Sequence, residues 1–227
     1  MFSFDLRAAR KQQGMTQKQA AAYLGVSQAY LSMVENGRRP VPGHQLNQVV
    51  EVYGLPPSAL PMRGHWNHLD NSKVAHELAA LGYPGFSYMN VARPQWNPAE
   101  LLVAALTKDE LESRVAEGLP WLAYAFNNMD WNWAVRKAKT NDVTNRLGFV
   151  VTMARELADR KGNDSVAMTL RAVETQLQRS TLVREDTFCN ERMTQAERRW
   201  LQKSRSPEAR RWNVLSDLAS EHLVHVA

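Results

Sequence analysis

Gln28, Ala29, Ser32 and Met33 are spaced so that a helix would carry all four on one face. The chemistry open to them is recognition. A glutamine amide near a helix N-terminus can bond both major-groove positions of adenine, N6 and N7, and a methyl or thioether can touch a thymine methyl. The competing reading of Gln28 is a solvated amide. For Ala29 and Met33 it is a small contact with a neighbouring helix. Tyr30 can donate to a phosphate or pack its ring on the helix below. Gln17, at the start of its own helix, can brace a phosphate beside unpaired backbone N–H groups or stand free in water.

These side chains require two short helices and a corner. Residues Thr16 to Gly37 read TQKQAAAYLGVSQAYLSMVENG. Thr16 can cap the first helix, whose apolar face is Ala20, Ala21 and Leu24, and Gly25 tolerates the positive φ that ends it. Ser27 then caps the second helix, Leu31 and Val34 face inward, and Gly37 closes it. An amphipathic helix with Phe4, Leu6 and Ala9 precedes the pair and ends at Gly14. A fourth runs from about Gly43 to Tyr53 with Leu46, Val49, Val50 and Tyr53 on one face, and the GLPPSALP run breaks it, with a fifth short helix between Leu55 and Leu60. One helix across a DNA backbone and the next in the major groove is the docking this corner permits.

The residues Leu6, Arg10, Gly14, Thr16, Gln17, Ala20, Leu24, Gly25, Val26, Ser27, Leu31, Ser32, Glu35, Asn36, Gly37 and Arg39-Pro40 make the segment Leu6 to Leu60 resemble a known domain. It is the helix-turn-helix domain of the xenobiotic-response-element family, which includes lambda-type repressors and Cro proteins. The resemblance implies that Gln28, Ala29, Ser32 and Met33 face the groove. It implies that Gln17, Ser27, Tyr30, Asn36 and Arg38 meet the DNA backbone, and that Arg10 and Glu35 form a partly buried ion pair. Ala29 and Met33 are apolar for base reading, which leaves hydrogen-bonded readout thin.

Charge divides the chain in the same way. Residues 1–65 hold seven Lys/Arg against three Asp/Glu, residues 66–227 hold 21 against 20, and most of the net +5 therefore lies in the first quarter. An excess of this kind suits phosphate contact, although it is also within reach of an ordinary surface. The polar stretch PMRGHWNHLDNS places a boundary near residues 61–72, giving a domain 1–65 and a domain 66–227. No signal peptide or run of 18 apolar residues is visible, and the single Cys189 reads as a small buried hydrophobe in a reducing cytoplasm.

The larger part reads as helical almost throughout. Helices are expected over Val74–Leu81, from Pro98, over Lys108–Gly118, from Pro120 to about Met129, over Trp131–Lys161, Asp164–Leu182 and Thr194–Leu201, and from Pro207 to Leu223. The expected class is all-α: a five-helix DNA-binding domain followed by a multi-helix, bundle-like domain. All seven tryptophans lie beyond residue 65, where they serve a core or, for at least one, an interface. Within the 131–161 run, Arg136, Lys137, Lys139, Asn141, Asp142, Thr144, Asn145 and Arg146 form a polar middle, read as a solvated face or a docking surface.

No catalytic set stands out. His65, His68 and His76 with Asp70 lack a helix to gather them and no HExxH supports a metal; His222 and His225 suit a helix end. Arg155, Glu156, Asp159, Arg160 and Lys161 read as a mixed-charge face. No phosphate loop, nucleophile elbow or Ser–Lys pair is recognisable, so no enzyme, cofactor or metal is expected. The expected partners are double-stranded DNA and a second copy through residues 66–227, as a repressor on an inverted repeat. The runs NDVTNRLGFVVTMARELA and MTQAERRWL resemble regulators encoded beside nucleotidyltransferase-type toxins. That implies the alternative, an antitoxin that binds a toxin or other protein and represses its own operon.

Overall fold

The computed structural model describes residues 5–64, 66 and 69–223. Phe4, His65, His68 and His225 of the sequence reading lie outside the described residues, as does the side chain of His222. The chain is all-α, with two very short strands among the described residues. It forms two compact units, one of residues up to Arg63 with Pro94–Asn97, the other of Gly64–Arg93 with the residues from Pro98 onward.

In the first unit α1 (Leu6–Gln12), α2 (Gln17–Tyr23), α3 (Gln28–Glu35) and α4 (Leu46–Val52) surround one core. Its centre is Leu6, Ala9, Ala20, Ala21, Leu24, Leu31, Val34, Val49 and Tyr53. The expected fifth helix is a single 3₁₀ turn, Pro57–Ala59, because Leu60 turns extended (ψ 145°) ahead of Pro61 and leaves no room for a full α-helical turn. The boundary near residue 65 misses one segment. Asn97 Nδ2 donates to Ser58 O at 2.9 Å and Leu60 O at 2.8 Å, Gln95 accepts from Asn47, and Arg63 lies over the Trp96 ring. Trp96 thus belongs with the first unit.

The second unit contains α5 (Asn71–Ala80), α6 (Pro98–Leu106), α7 (Ser113–Ala125), α8 (Trp131–Thr140), α9 (Thr144–Arg160), α10 (Asp164–Gln178), α11 (Gln195–Ser204) and α12 (Pro207–Arg211). α9 is buried for most of its 17 residues and packs against α7, α8, α10 and α12. Gly148 on α9 leaves the slot that Trp212 fills: a Cβ there would lie 2.3 Å from Trp212 Cε3. The Trp212 indole donates to Thr152 Oγ1 at 2.7 Å one turn further on. Of the seven tryptophans, Trp131 and Trp212 are buried, Trp66, Trp96, Trp121 and Trp133 are half-buried, and Trp200 is exposed.

Four expectations for this unit are corrected. The 131–161 run is two helices, since Asn141 caps α8 and Asp142 turns the backbone at φ +55°. Residues 108–118 and 120–129 do not make two helices: α7 runs through Pro120, whose single missing donor is offset by burial of Leu119, Leu122 and Ala123. The last helix stops at Arg211, and Asn213 (φ +53°) turns the chain into Val214–Leu215, which pairs in parallel with Asp186–Thr187.

The fourth correction concerns the polar middle, which is not one surface. Arg136, Lys139, Asn141 and Asp142 are exposed, whereas Thr144, Asn145 and Arg146 are buried. Asn145 exchanges hydrogen bonds with the Leu182 backbone at 2.8 and 2.9 Å. Cys189 sits beside Arg146, and burial pushes its thiol up to about 12, so it remains protonated and unreactive.

Candidate nucleic-acid interface

The corner is built by caps. Thr16 Oγ1 accepts from Gln19 N and the Gln19 side chain accepts from Thr16 N, a reciprocal pair that starts α2. Gly25 adopts φ +65° after α2, and Ser27 Oγ then accepts from Tyr30 N to start α3. Leu31 and Val34 of α3 are buried, which turns the opposite face outward.

On that outward face Gln28 and Ala29 are exposed and Ser32 and Met33 half-buried. Gln28 does not stand free. Its Nε2 donates to Gln17 Oε1 at 3.3 Å, and Gln17 Nε2 donates to Glu35 Oε2 at 3.2 Å. Glu35 is the hub: Arg10 Nε donates to Oε1 at 2.7 Å, Arg10 Nη2 to Oε2 at 3.2 Å, and the Tyr53 hydroxyl to Oε1 at 3.0 Å. Arg10 Nη1 also donates to Met15 O, which ties the fork to the α1–α2 turn. The pair lies at the edge of the core, with side-chain exposures of 9% for Arg10 and 1% for Glu35.

Burial alone would push the Glu35 carboxyl up, but the bonds from Arg10, Tyr53 and Gln17 outweigh it and hold it below the usual range. The bond to Glu35 raises Arg10, and burial pushes the Tyr53 hydroxyl above its ordinary value. The hub is therefore ionic, with one carboxylate orienting three donors. An amide has two N–H donors and a carbonyl. These bonds thus leave Gln28 one N–H and its Oε1, and Gln17 one N–H, not engaged in the chain.

The remaining residues occupy the rim. Tyr30 is half-buried, with its hydroxyl 3.5 Å from Pro40 O and the Arg39 guanidinium 5.9 Å from its ring centroid. Asn36 Nδ2 donates to Ser32 O at 2.7 Å and lies 3.4 Å from Ser32 Oγ, so it closes α3 while Ser32 retains its own proton to donate. Arg38 is exposed, and its backbone N–H donates to Met33 O. Tyr53 was legible only as an apolar-face residue, and nothing in its spacing showed the bond to Glu35. Arg39 enters the site through the Tyr30 ring, a contact that its place in the motif does not reveal. Among the described residues no group of His, Cys, Asp and Glu stands close enough to hold a metal ion.

Residues 6–60 match the Helix-turn-helix family, over the segment that contains this hub and its exposed helix. No curated protein and no solved structure matches the chain. Residues 6–60 are thus a helix-turn-helix domain of the lambda-repressor-like type, which supports DNA binding and a part in transcription regulation. No helix among the described residues is long and apolar enough to cross a membrane.

Proposed function

We propose that the protein is a repressor that binds an inverted-repeat operator as a dimer, reading bases with Gln28, Ala29, Ser32 and Met33. Gln17, Ser27, Tyr30, Asn36 and Arg38 hold the DNA backbone. The observation that carries this reading is the chain of hydrogen bonds from Arg10 and Tyr53 through Glu35 and Gln17 to Gln28, which orients an exposed amide before DNA arrives. One α3 reads few bases, and two-fold symmetry doubles both contact and specificity. The second unit supplies self-association in this reading.

The test is Gln28→Ala. It should weaken binding to the cognate operator more than to random duplex, by about 1–3 kcal/mol of discrimination per half-site, in isotherms at one salt concentration. Equal losses on both duplexes would place Gln28 among the phosphate contacts. Arg38→Ala should weaken all duplexes alike and lower the slope of log K against log salt by about 0.9 for each phosphate contact removed. An unchanged slope would remove Arg38 from the interface. Sedimentation of the full chain with and without operator checks the dimer.

A second reading has its own support. In it the second unit captures a partner protein and the first represses the operon, as for an antitoxin. Trp200 is a large apolar side chain left in water on that unit.

A further inference from the structure

α11 lies against its unit along one face. Arg198 and Arg205 approach the Glu185 carboxylate at 3.8 and 3.6 Å, Gln202 Nε2 lies 3.3 Å from it, and Leu201 is buried. Residues 199, 200 and 203 fall on the opposite side by helical spacing. There Arg199, Trp200 and Lys203 are exposed, Trp200 by 57%. Among the described residues neither Arg199 nor Lys203 joins an ion pair. Glu197, the one acid of α11, is turned into the capping box with Thr194. Residues 191–213 hold seven Lys/Arg against three Asp/Glu, an excess equal to that of residues 1–65.

An indole between two cations without an ion pair among the described residues, on a helix whose one carboxylate is held in its capping box, has the composition of an interface anchor. We propose that this face docks an acidic protein: an apolar cleft for the Trp200 indole, rimmed by carboxylates that meet Arg199 and Lys203. Duplex DNA has stacked bases and a hydrated phosphate rim, with no apolar cleft for an indole. A single strand would stack on successive aromatic rings, and this face has one. A symmetric contact of this face with a second copy would bring two such cationic pairs together with no carboxylate on the face to meet them. The inference rests on the partner-capture reading and is independent of operator binding.

The test uses the full chain and the seven indole N–H signals of its nitrogen-15 spectrum, with Trp200 assigned through Trp200→Phe. The probes are a helical peptide of Glu and Leu, its Lys and Leu counterpart, and random duplex and single-stranded oligonucleotides. The acidic peptide should shift the Trp200 signal ahead of the other six, and the basic peptide should not. Arg199→Glu combined with Lys203→Glu should weaken the acidic peptide about tenfold or more while leaving the rest of the spectrum in place. Shifts confined to other indoles would keep partner capture and overturn this surface. A Trp200 shift with oligonucleotides and not with peptide would make the face a nucleic-acid contact. A change in sedimentation of the free chain on Trp200→Ala would make it a self-contact, and either result overturns the proposal.

Discussion

Glu35→Ala is expected to destabilise the first unit by about 3–5 kcal/mol, the range for leaving a buried charge without its partner. The substitution strands the Arg10 guanidinium at 9% exposure and removes the acceptor of Tyr53 and Gln17 together. Amide exchange of Leu24, Leu31 and Val34 in the full chain reads this locally, since those amides open with the unit. Operator affinity should fall as well, because Gln17 loses the acceptor that holds it against Gln28. Exchange as slow as in the parent would mean that solvent already compensates the pair.

The same group sets a pH dependence. Glu35 is held below its unfolded value, about 4.3, so the unfolded chain binds the extra proton. Its contribution is complete above that value and is lost as pH falls through the folded one. Protection of the first unit should therefore be flat from neutrality to about pH 5 and decline below it. Glu35→Ala should flatten that decline.

What could be read from the residues was what local chemistry determines. Thr16, Gly25 and Ser27 act within three or four residues of themselves, so type and spacing suffice, and the corner and the outward face of α3 followed. The hub of the same site did not follow in full. Arg10 and Glu35 were paired only through a family likeness, and Tyr53 lies 18 residues from the carboxylate it serves. In the second unit local signals misled. A polar run was read as one surface, although burial of a polar side chain is decided by partners that spacing cannot reveal. Trp200 and Trp212 are alike in type and differ entirely in burial, because Gly148 makes room for only one of them.

Arg146 is the sharpest case, and Arg146→Leu should cost about 3–5 kcal/mol for the same reason as Glu35→Ala. Its Nε and Nη2 donate to Asp186 Oδ1 at 3.0 and 2.9 Å, and Nη1 donates to Leu106 O and Lys108 O. Nη2 also reaches Glu191 Oε1 at 2.7 Å. Without the guanidinium, the Asp186 carboxyl is left buried without its ion-pair partner, its Oδ2 already lacking a hydrogen-bond partner among the described residues. Glu191 is 45% exposed and can turn to water, so Asp186 carries most of the penalty. Adding Asp186→Ala should therefore return part of the lost stability, measured as the urea midpoint of helical ellipticity, whereas adding Glu191→Ala should return little. The recovery stays partial because the two carbonyls still lose their donor. A single Arg146→Leu variant with the parent's midpoint would show that the pair adds nothing to stability, and that α9 is held in place by its apolar packing and by Trp212 alone.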